Sequence, residues 1–215
     1  IALCSIQAGY PTVLFDVHPA ALQKGQDYIQ NQLDIAVSKG KTTAEKAAAA
    51  LALLSTTPDR STLVADFIIE AVLEQLPIKR ELFSFLETIN TPEAIFATNT
   101  SSIPITQIAA GLQHPERVVG VHFFNPAHIM KLVEVIKGVA TATHVAETAF
   151  NWSQSLGKTT VYAADAPGFI VNRVARHYYV ESLKALEENT ASLEAIDRLL
   201  ESSGFKMGPF KLMDL

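Results

Sequence analysis

The sequence has little of what several classes of protein depend on. Its one cysteine, Cys4, excludes a disulfide framework and a zinc site built from cysteines. No run of about 18 apolar residues occurs, so no transmembrane span is predicted. Acidic residues outnumber basic ones by 22 to 17, and the net charge of −5 argues against nucleic acid as the main partner. Hydrophobic residues make up 48% of the 215 residues, which excludes general disorder and predicts one large domain or one and a half.

The two ends of the sequence suggest the expectation that this chain is a piece of a longer protein. The first residue is Ile1 rather than Met, and the segment IALCSIQA has the pattern of a helix already under way. Gly9 is a typical residue for the end of such a helix. The sequence stops at Leu215, after the apolar segment KLMDL, without a closing element.

Strand and helix patterns alternate over most of the sequence. Strands are predicted over 11–16, 66–72, 93–102 (running into a polar turn), 117–126, 131–138 and 158–165. Helices are predicted over 19–54, 77–89, 105–112 and 143–157. Alternation of this kind predicts an α/β fold of Rossmann type, with a parallel, doubly wound sheet and helices on both faces.

The pattern changes after Asp165. The segment PGF at 167–169 interrupts it, and the segments IVNRVARHYYVESLKALEE and SLEAIDRLLESS that follow both have helical spacing. We therefore place a domain boundary near 165–168. The prediction is a Rossmann-type domain over 1–166, followed by the beginning of an all-α domain over 167–215.

Asp16 is the first candidate functional residue. An acidic residue at the end of the second strand of a βαβ unit can hydrogen-bond an adenosine ribose. No Lys or Arg follows within a few residues, which favours NAD over NADP. The glycine fingerprint of a dinucleotide site is absent and would fall before Ile1. Asp16 could equally cap a turn between a strand and a helix.

His122 and Glu134 are a candidate acid–base pair. His122 lies near the end of one apolar strand, and Glu134 lies inside another, KLVEVI. A carboxylate in such a run is costly to bury without a partner, and a histidine is a natural one. Such a pair makes a general base. The alternative is a core histidine and a glutamate that faces water from an edge strand.

Polar residues elsewhere could belong to the same site. The NTSS turn at 99–102 follows a strand, at the edge of the sheet where ligands bind in α/β folds. It could equally be a helix cap. Asn125, before Pro126, could be only part of a turn. Asn172 follows the domain break and could face a cleft between domains.

The other histidines do not have the spacing of metal ligands. We expect them to lie on the surface or to cap helices. They are His18, His114, His128, His144 and His177.

Several long motifs, in order, resemble those of the 3-hydroxyacyl-CoA dehydrogenase family. They are DFIIEAVLEQLPIKRELF, FATNTSSIPIT, GVHFFNPAHIMKLVEVI and DAPGFIVNRV. The similarity extends over nearly the whole chain. Several motifs in the right order are far more specific than a lone glycine fingerprint.

The resemblance implies a role for each residue that matches a family motif. The implied catalytic residues are His122 as general base, Glu134 as its partner, and Ser101 and Asn172 around the reacting oxygen. The implied NAD contacts are Asp16, Glu74, Lys79, Asn125 and Ser101. The implied substrate contacts are Ser101, Asn172 and, near the CoA phosphates, Lys39.

The implied reaction is the reversible oxidation of a (3S)-3-hydroxyacyl-CoA to the 3-oxoacyl-CoA, with NAD as cofactor. His122 would take the hydroxyl proton while a hydride passes from C3 to NAD, and Glu134 would stabilise the imidazolium. The implied partners are an acyl-CoA substrate and a second copy of the chain, joined through the helical domain. A cytoplasmic location is expected, with no metal, nucleic acid or membrane partner.

Two alternatives to this function stay open. One is the same chemistry on a dicarboxylic acyl-CoA such as 3-hydroxyadipyl-CoA, and the other is a dinucleotide-binding module without catalysis. The sequence also departs from the family. The glycine-rich loop is missing before Ile1, the helical domain is cut off after Leu215, and Lys206 stands where relatives tend to have Pro. Activity is therefore expected of the parent protein rather than of this chain alone.

Overall fold

A computed structural model describes residues 1–214 of the chain. These residues form two compact units, Ile1–Asp165 and the segment from Ala166 onward. In the described part, no helix is both long and apolar enough to cross a lipid bilayer.

The first unit alternates strands and helices. Its strands are β1 (Thr12–Phe15), β2 (Leu54–Thr57), β3 (Phe67–Glu70), β4 (Ile95–Thr98), β5 (Val118–Phe123), β6 (Leu132–Lys137) and β7 (Thr159–Ala164). Its helices are α1 (Ala2–Gln7), α2 (Pro19–Ser38), α3 (Ala44–Leu51), α4 (Leu76–Ile89), α5 (Ile105–Ala109) and α6 (Thr143–Ser155). The second unit contains α7 (Val171–Glu187), α8 (Leu193–Ser202) and α9 (Pro209–Met213).

The sheet of the first unit is mainly parallel. Its order is β3-β4-β5-β6-β7, and β1 pairs with β2 in a separate parallel ladder. The Rossmann-type α/β class is confirmed. The prediction of a parallel sheet was wrong at one pair, because β5 and β6 are antiparallel. The loop 124–131 between them is too short for the crossover that parallel neighbours require.

The helix predicted over 19–54 is in fact two helices and a strand. After α2, Gly40 adopts a φ of +65°, which glycine accepts without strain. Thr43 then caps α3, its side chain accepting a hydrogen bond from the N–H of Lys46 at 3.3 Å. Strand β2 was not predicted, because the Ala- and Leu-rich tract runs into it without a glycine or proline.

The helical segments predicted after the break are confirmed as α7 and α8. Asn189, with a φ of +54°, lies between them. Ser192 caps α8 by accepting a hydrogen bond from the N–H of Ala195 at 3.3 Å. The short helix α9 was not predicted. Its first turn is capped from α8, where the buried carboxylate of Asp197 accepts a hydrogen bond from the N–H of Phe210 at 2.9 Å.

Strands β4 and β5 lie at the centre of the first unit, and every residue in them is buried. The small residues Ala146 and Ala149 of helix α6 pack with apolar side chains of β4, β5 and β6 in one buried hydrophobic cluster. Gly120 allows close packing in β5, since a Cβ there would lie 2.6 Å from Ile105 Cδ1. Because β3, β4 and β5 are parallel, this packing holds their carboxyl ends along one edge of the sheet.

Candidate active site

A cleft of about 350 Å³ opens at the carboxyl ends of β3, β4 and β5. In open α/β sheets this is the edge where ligands bind. Several residues predicted for the site line the cleft, together with Asn99, which was part of the predicted turn but had no assigned role. The predicted ones are Glu74, Lys79, Ser101, His122 and Asn125.

His122 and Glu134 form a buried pair. They are direct neighbours across β5 and β6, which places their side chains on the same face of the sheet. His122 Nδ1 lies 2.8 Å from Glu134 Oε2, and the two side chains are 7% and 0% exposed. The alternative of a water-facing glutamate on an edge strand is therefore wrong, because β6 lies between β5 and β7.

The geometry of this pair defines the chemistry of the imidazole. An ionised carboxylate can only accept a hydrogen bond, so Nδ1 of His122 keeps its proton and the Nδ1–H group donates a hydrogen bond to Glu134. Nε2 is then the basic nitrogen of the neutral ring. The ring of Phe124 packs against the imidazole, with 4.5 Å between the ring centroids. A histidine held in this way can accept a proton from a ligand in the cleft.

A buried ionic network lies beside the cleft. The side chain of Lys79 is 1% exposed, and its Nζ lies 2.7 Å from Glu70 Oε1 and 3.1 Å from Glu74 Oε2. Glu70 is fully buried, and its other oxygen accepts a hydrogen bond from Thr98 Oγ1 at 2.7 Å. Sequence reasoning missed Glu70 and Thr98. The available signal was the carboxylate that ends the apolar run FIIE, which needs a partner once buried.

Glu74 anchors the NTSS turn. Its Oε1 accepts hydrogen bonds from Thr100 Oγ1 at 2.5 Å, and from the N–H groups of Ser101 at 3.0 Å and Ser102 at 3.3 Å. Partial burial acts to raise the pKa of Glu74. The hydrogen bonds from Thr100, Lys79 and the Ser101 N–H outweigh burial and lower the pKa from 4.5 to about 2. The carboxylate therefore stays ionised across the physiological range.

The turn is not the cap of the helix that follows it. Helix α5 begins at Ile105, and its N-cap residue, Pro104, has no capping side chain. Asp165 supplies the cap instead, accepting hydrogen bonds from the N–H groups of Ile105 at 2.8 Å and Thr106 at 2.9 Å. The alternative of an Asn-Thr-Ser helix cap is therefore wrong for residues 99–102.

Three predicted site residues of the first unit do not line this cleft: Asp16, Lys39 and Glu134, the last of which is buried against His122. Asp16 follows β1, and its Oδ1 accepts a hydrogen bond from the N–H of His18 at 2.8 Å, in the turn that leads into α2. Lys39 is exposed just after the end of α2. Asn172 lies in the first turn of α7, in the second unit.

The remaining histidines are exposed or half-buried. His114 Nδ1 lies 3.1 Å from Glu116 Oε1. His128 Nδ1 lies 3.4 Å from the hydroxyl of Tyr28. Among residues 1–214, no group of histidine, cysteine and carboxylate side chains could hold a metal ion.

The fold and the cleft define a nucleotide-binding α/β domain with an acid–base pair at its ligand edge. Comparison with known families agrees. Residues 1–166 match the family model "3-hydroxyacyl-CoA dehydrogenase, NAD binding domain", and residues 168–215 match "3-hydroxyacyl-CoA dehydrogenase, C-terminal domain". The chain belongs to the 3-hydroxyacyl-CoA dehydrogenase family, and the NAD-binding domain predicted from its motifs is confirmed.

Individual relatives have the same assignment. The chain is 46% identical to 3-hydroxyadipyl-CoA dehydrogenase of Escherichia coli, over 100% of its own length and 46% of that protein. It is 38% identical to a probable 3-hydroxybutyryl-CoA dehydrogenase of Bacillus subtilis, over 100% of its length and 75% of that protein. The chain thus spans about half the length of the first relative and three quarters of the second.

Solved structures confirm the fold. A crystal structure of 3-hydroxybutyryl-CoA dehydrogenase from E. coli superposes with a TM-score of 0.95 at 46% identity, over 99% of this chain and 46% of that one. The (S)-3-hydroxybutyryl-CoA dehydrogenase of Ralstonia eutropha superposes with a TM-score of 0.92 at 34% identity, over 97% of this chain and 74% of that one.

Proposed function

We propose that the full-length protein catalyses the reversible, NAD-dependent oxidation of a (3S)-3-hydroxyacyl-CoA to the 3-oxoacyl-CoA. The observation that carries this proposal is the buried His122–Glu134 pair, whose imidazole lines the cleft. An alcohol that loses a hydride must also lose its hydroxyl proton. An imidazole oriented by a carboxylate is suited to accept that proton. Family membership supports the substrate class.

The geometry of the pair supports the proposed roles of His122 and Glu134. His122 accepts the hydroxyl proton at Nε2, since Nδ1 is engaged with Glu134. Glu134 stabilises the resulting imidazolium, and its complete burial strengthens that attraction because little water screens it. The resemblance to the family assigns Ser101 and Asn172 to the reacting oxygen of the substrate. In the reverse direction, the imidazolium returns its proton to the same oxygen.

The residues of the cleft fit a nicotinamide cofactor. NAD, when bound, supplies the hydride acceptor. Val72 offers an apolar side chain, 37% exposed, against which a flat ring can pack. Ser101 and Asn125 line the same cleft with a hydroxyl and an amide that can bind polar groups of the cofactor.

The other proposed cofactor contacts have different surroundings. Asp16 binds the adenosine ribose with the carboxylate oxygen that the turn does not use. Lys79 and Glu74 are held together by their ion pair at the edge of the cleft. Since Glu74 also accepts hydrogen bonds from the NTSS turn, its contribution to cofactor binding includes the placement of Ser101.

The acyl group is the open part of the proposal. We assign Lys39, which is exposed after α2, to the CoA phosphates, as the resemblance to the family implies. A dicarboxylic substrate is a second candidate, because the relative with 46% identity carries the name 3-hydroxyadipyl-CoA dehydrogenase. The B. subtilis relative is named for the shorter 3-hydroxybutyryl-CoA.

The proposed organisation follows the family. We assign residues 1–166 to the NAD-binding domain and 167–215 to the start of the helical domain. We further propose a homodimer formed through the helical domain, and a cytoplasmic location. Bacterial relatives support this location, although the rat relative is named as mitochondrial. Sedimentation and cell fractionation of the full-length protein test these two points.

The reaction is tested by following NADH oxidation with acetoacetyl-CoA in the full-length protein. Wild type is compared with His122→Gln and with the control His144→Gln, which changes an exposed histidine of α6. We expect turnover in wild type and in the control, and a loss of about 10²- to 10⁴-fold in kcat for His122→Gln. Turnover that survives in His122→Gln would remove His122 from its role.

A substrate panel separates the remaining candidates. Higher kcat/KM with 3-oxoadipyl-CoA than with acetoacetyl-CoA would assign the dicarboxylic substrate. NADH binding without turnover on any acyl-CoA would overturn the proposed reaction in favour of a non-catalytic binding module.

A further inference from the structure

Asn99 connects the ends of two strands at the cleft. Its backbone N–H donates a hydrogen bond to the carbonyl oxygen of Glu70 at 2.8 Å, which continues the pairing of β3 with β4. Its side-chain Oδ1 accepts a hydrogen bond from the N–H of Phe123 at 2.9 Å, at the end of β5. One residue therefore ties together the carboxyl ends of three neighbouring strands.

The side chain of Asn99 supplies a hydrogen-bond acceptor beyond the point where β4 stops pairing with β5. The parallel ladder of β4 and β5 ends at the pair Thr98 and Gly120. Strand β5 continues beyond this pair to Phe123, while the chain after β4 turns away into the NTSS segment. A buried N–H needs an acceptor, and the amide oxygen of Asn99 supplies the one that a strand carbonyl would otherwise provide.

This bond lies beside both proposed catalytic groups. Phe123 directly follows His122. On the side of β5 that faces β6, His122 pairs with Glu134. Asn99 itself lies two residues before Ser101. The backbone around His122 is thus held by β6 on one side and by the Asn99 side chain on the other.

We propose that Asn99 is a positioning residue that sets the separation between Ser101 and His122. It acts through the N–H of Phe123, and the inference rests on the reaction proposed above. Asparagine suits the position because its neutral carbonyl oxygen can accept the bond without placing a charge beside the His122–Glu134 pair. An alanine would leave the N–H of Phe123 without this acceptor.

The test compares variants at two asparagines in the full-length protein. Asn99→Ala removes the acceptor, and Asn99→Asp keeps an oxygen in the same place. Asn90→Ala is the matched control. Asn90 Oδ1 likewise accepts a backbone hydrogen bond, from the N–H of Ala65 at 3.0 Å, but Asn90 follows α4 and does not line the cleft.

Two readouts are measured in each variant. For Asn99→Ala, kcat is expected to fall about 10- to 100-fold through misplacement of the reacting groups. The KM for NADH should stay within about threefold of the wild-type value, because the separation of Ser101 and His122 matters in the transition state rather than in NADH binding. Hydrogen exchange of the peptide that contains Phe123 should become at least about fivefold faster, as expected for the loss of one hydrogen bond.

The control and the conservative variant decide the interpretation. Asn90→Ala should lower the melting temperature without changing kcat or the exchange of Phe123. Asn99→Asp should restore the slow exchange of Phe123, because an oxygen again accepts the hydrogen bond, while kcat stays below wild type because a charge now lies beside the His122–Glu134 pair. If Asn99→Ala does not fold, Asn99→Ser, whose hydroxyl is too short to reach Phe123, replaces it with the same expectations.

The failures can be told apart. Equal kcat and equal exchange in Asn99→Ala and Asn90→Ala would overturn the positioning role. If wild type has no turnover, the proposed reaction fails, and the exchange of Phe123 still decides whether Asn99 holds the end of β5.

Discussion

His122 Nδ1 lies 2.8 Å from Glu134 Oε2 in a pair that the sheet buries almost completely. The two residues come from antiparallel neighbours, so the pairing of β5 with β6 sets their distance. An ionised carboxylate in such a place requires a hydrogen-bonding partner. The pair is therefore both a constraint on the fold and the chemical centre of the cleft.

Replacement of Glu134 tests its partnership with His122. Glu134→Gln keeps the shape of the side chain but removes the charge that stabilises the imidazolium. We expect kcat for the proposed reaction to fall by about 10²- to 10⁴-fold, with cofactor affinity little changed. The measurement is steady-state kinetics in the full-length protein, with Glu147→Gln on the exposed face of α6 as the control. Wild-type kcat in Glu134→Gln would contradict the role of the carboxylate.

Acid stability tests the anchoring role of Glu74. Its pKa is lowered from 4.5 to about 2 in the folded protein, so the folded state favours the carboxylate. This stabilisation is fully present above pH 4.5 and is lost as the pH falls towards 2. Glu74→Gln should therefore be less stable than wild type at pH 7, and the difference should shrink between pH 4.5 and 2.

Urea unfolding followed at several pH values measures this effect. Glu93→Gln, at an exposed position before β4, is the control and should follow the wild-type curve. A difference between Glu74→Gln and wild type that stays constant down to pH 2 would show that the charge of Glu74 is not the cause.

Replacement of Gly120 by alanine tests how closely β5 is packed. A Cβ there would lie 2.6 Å from Ile105 Cδ1 and 2.9 Å from Ile136 Cβ. Gly120→Ala should lower the free energy of unfolding by about 1–3 kcal/mol through overpacking. Adding Ile105→Val, which removes the Cδ1 methyl group, should recover part of the loss. Denaturant midpoints measure both effects, and an unchanged midpoint in Gly120→Ala would contradict the predicted clash.

Replacement of Lys158 tests whether its side chain stabilises the loop 124–131, which carries Asn125. Its Nζ donates hydrogen bonds to the carbonyl oxygens of Ala127 and of Met130, the latter at 2.9 Å. Lys158→Met should loosen the loop and weaken NADH binding by about fivefold, the value of one lost hydrogen bond. Fluorescence titration with NADH measures the affinity. Lys131→Met, at an exposed position in the same loop, is the control, and equal affinities in the two variants would contradict the prediction.

The order of strands and helices was largely predictable because it depends on local patterns. Apolar, β-branched runs and helical spacing act over a few residues, and they identified β3 to β7 and α7 and α8. The motifs around His122 and Asn172 also predicted the family. Strand β2 was missed where an alanine-rich tract hid the change of pattern.

The pairing of distant residues was decided only by the tertiary structure. Glu70 and Thr98 meet because β3 and β4 pair in a register that places them side by side. Asp165 caps α5 from 60 residues further along the chain. Contacts of this kind depend on how whole elements pack, which no local window contains.

The sequence by itself determined the chemical groups of the site and the elements that carry them. The tertiary structure decided which of those groups meet. The same strand patterns would suit a parallel or an antiparallel β6, and only the short loop and the packed sheet place Glu134 directly opposite His122. The physical reason is that side-chain chemistry is local, whereas register results from the burial of the whole core.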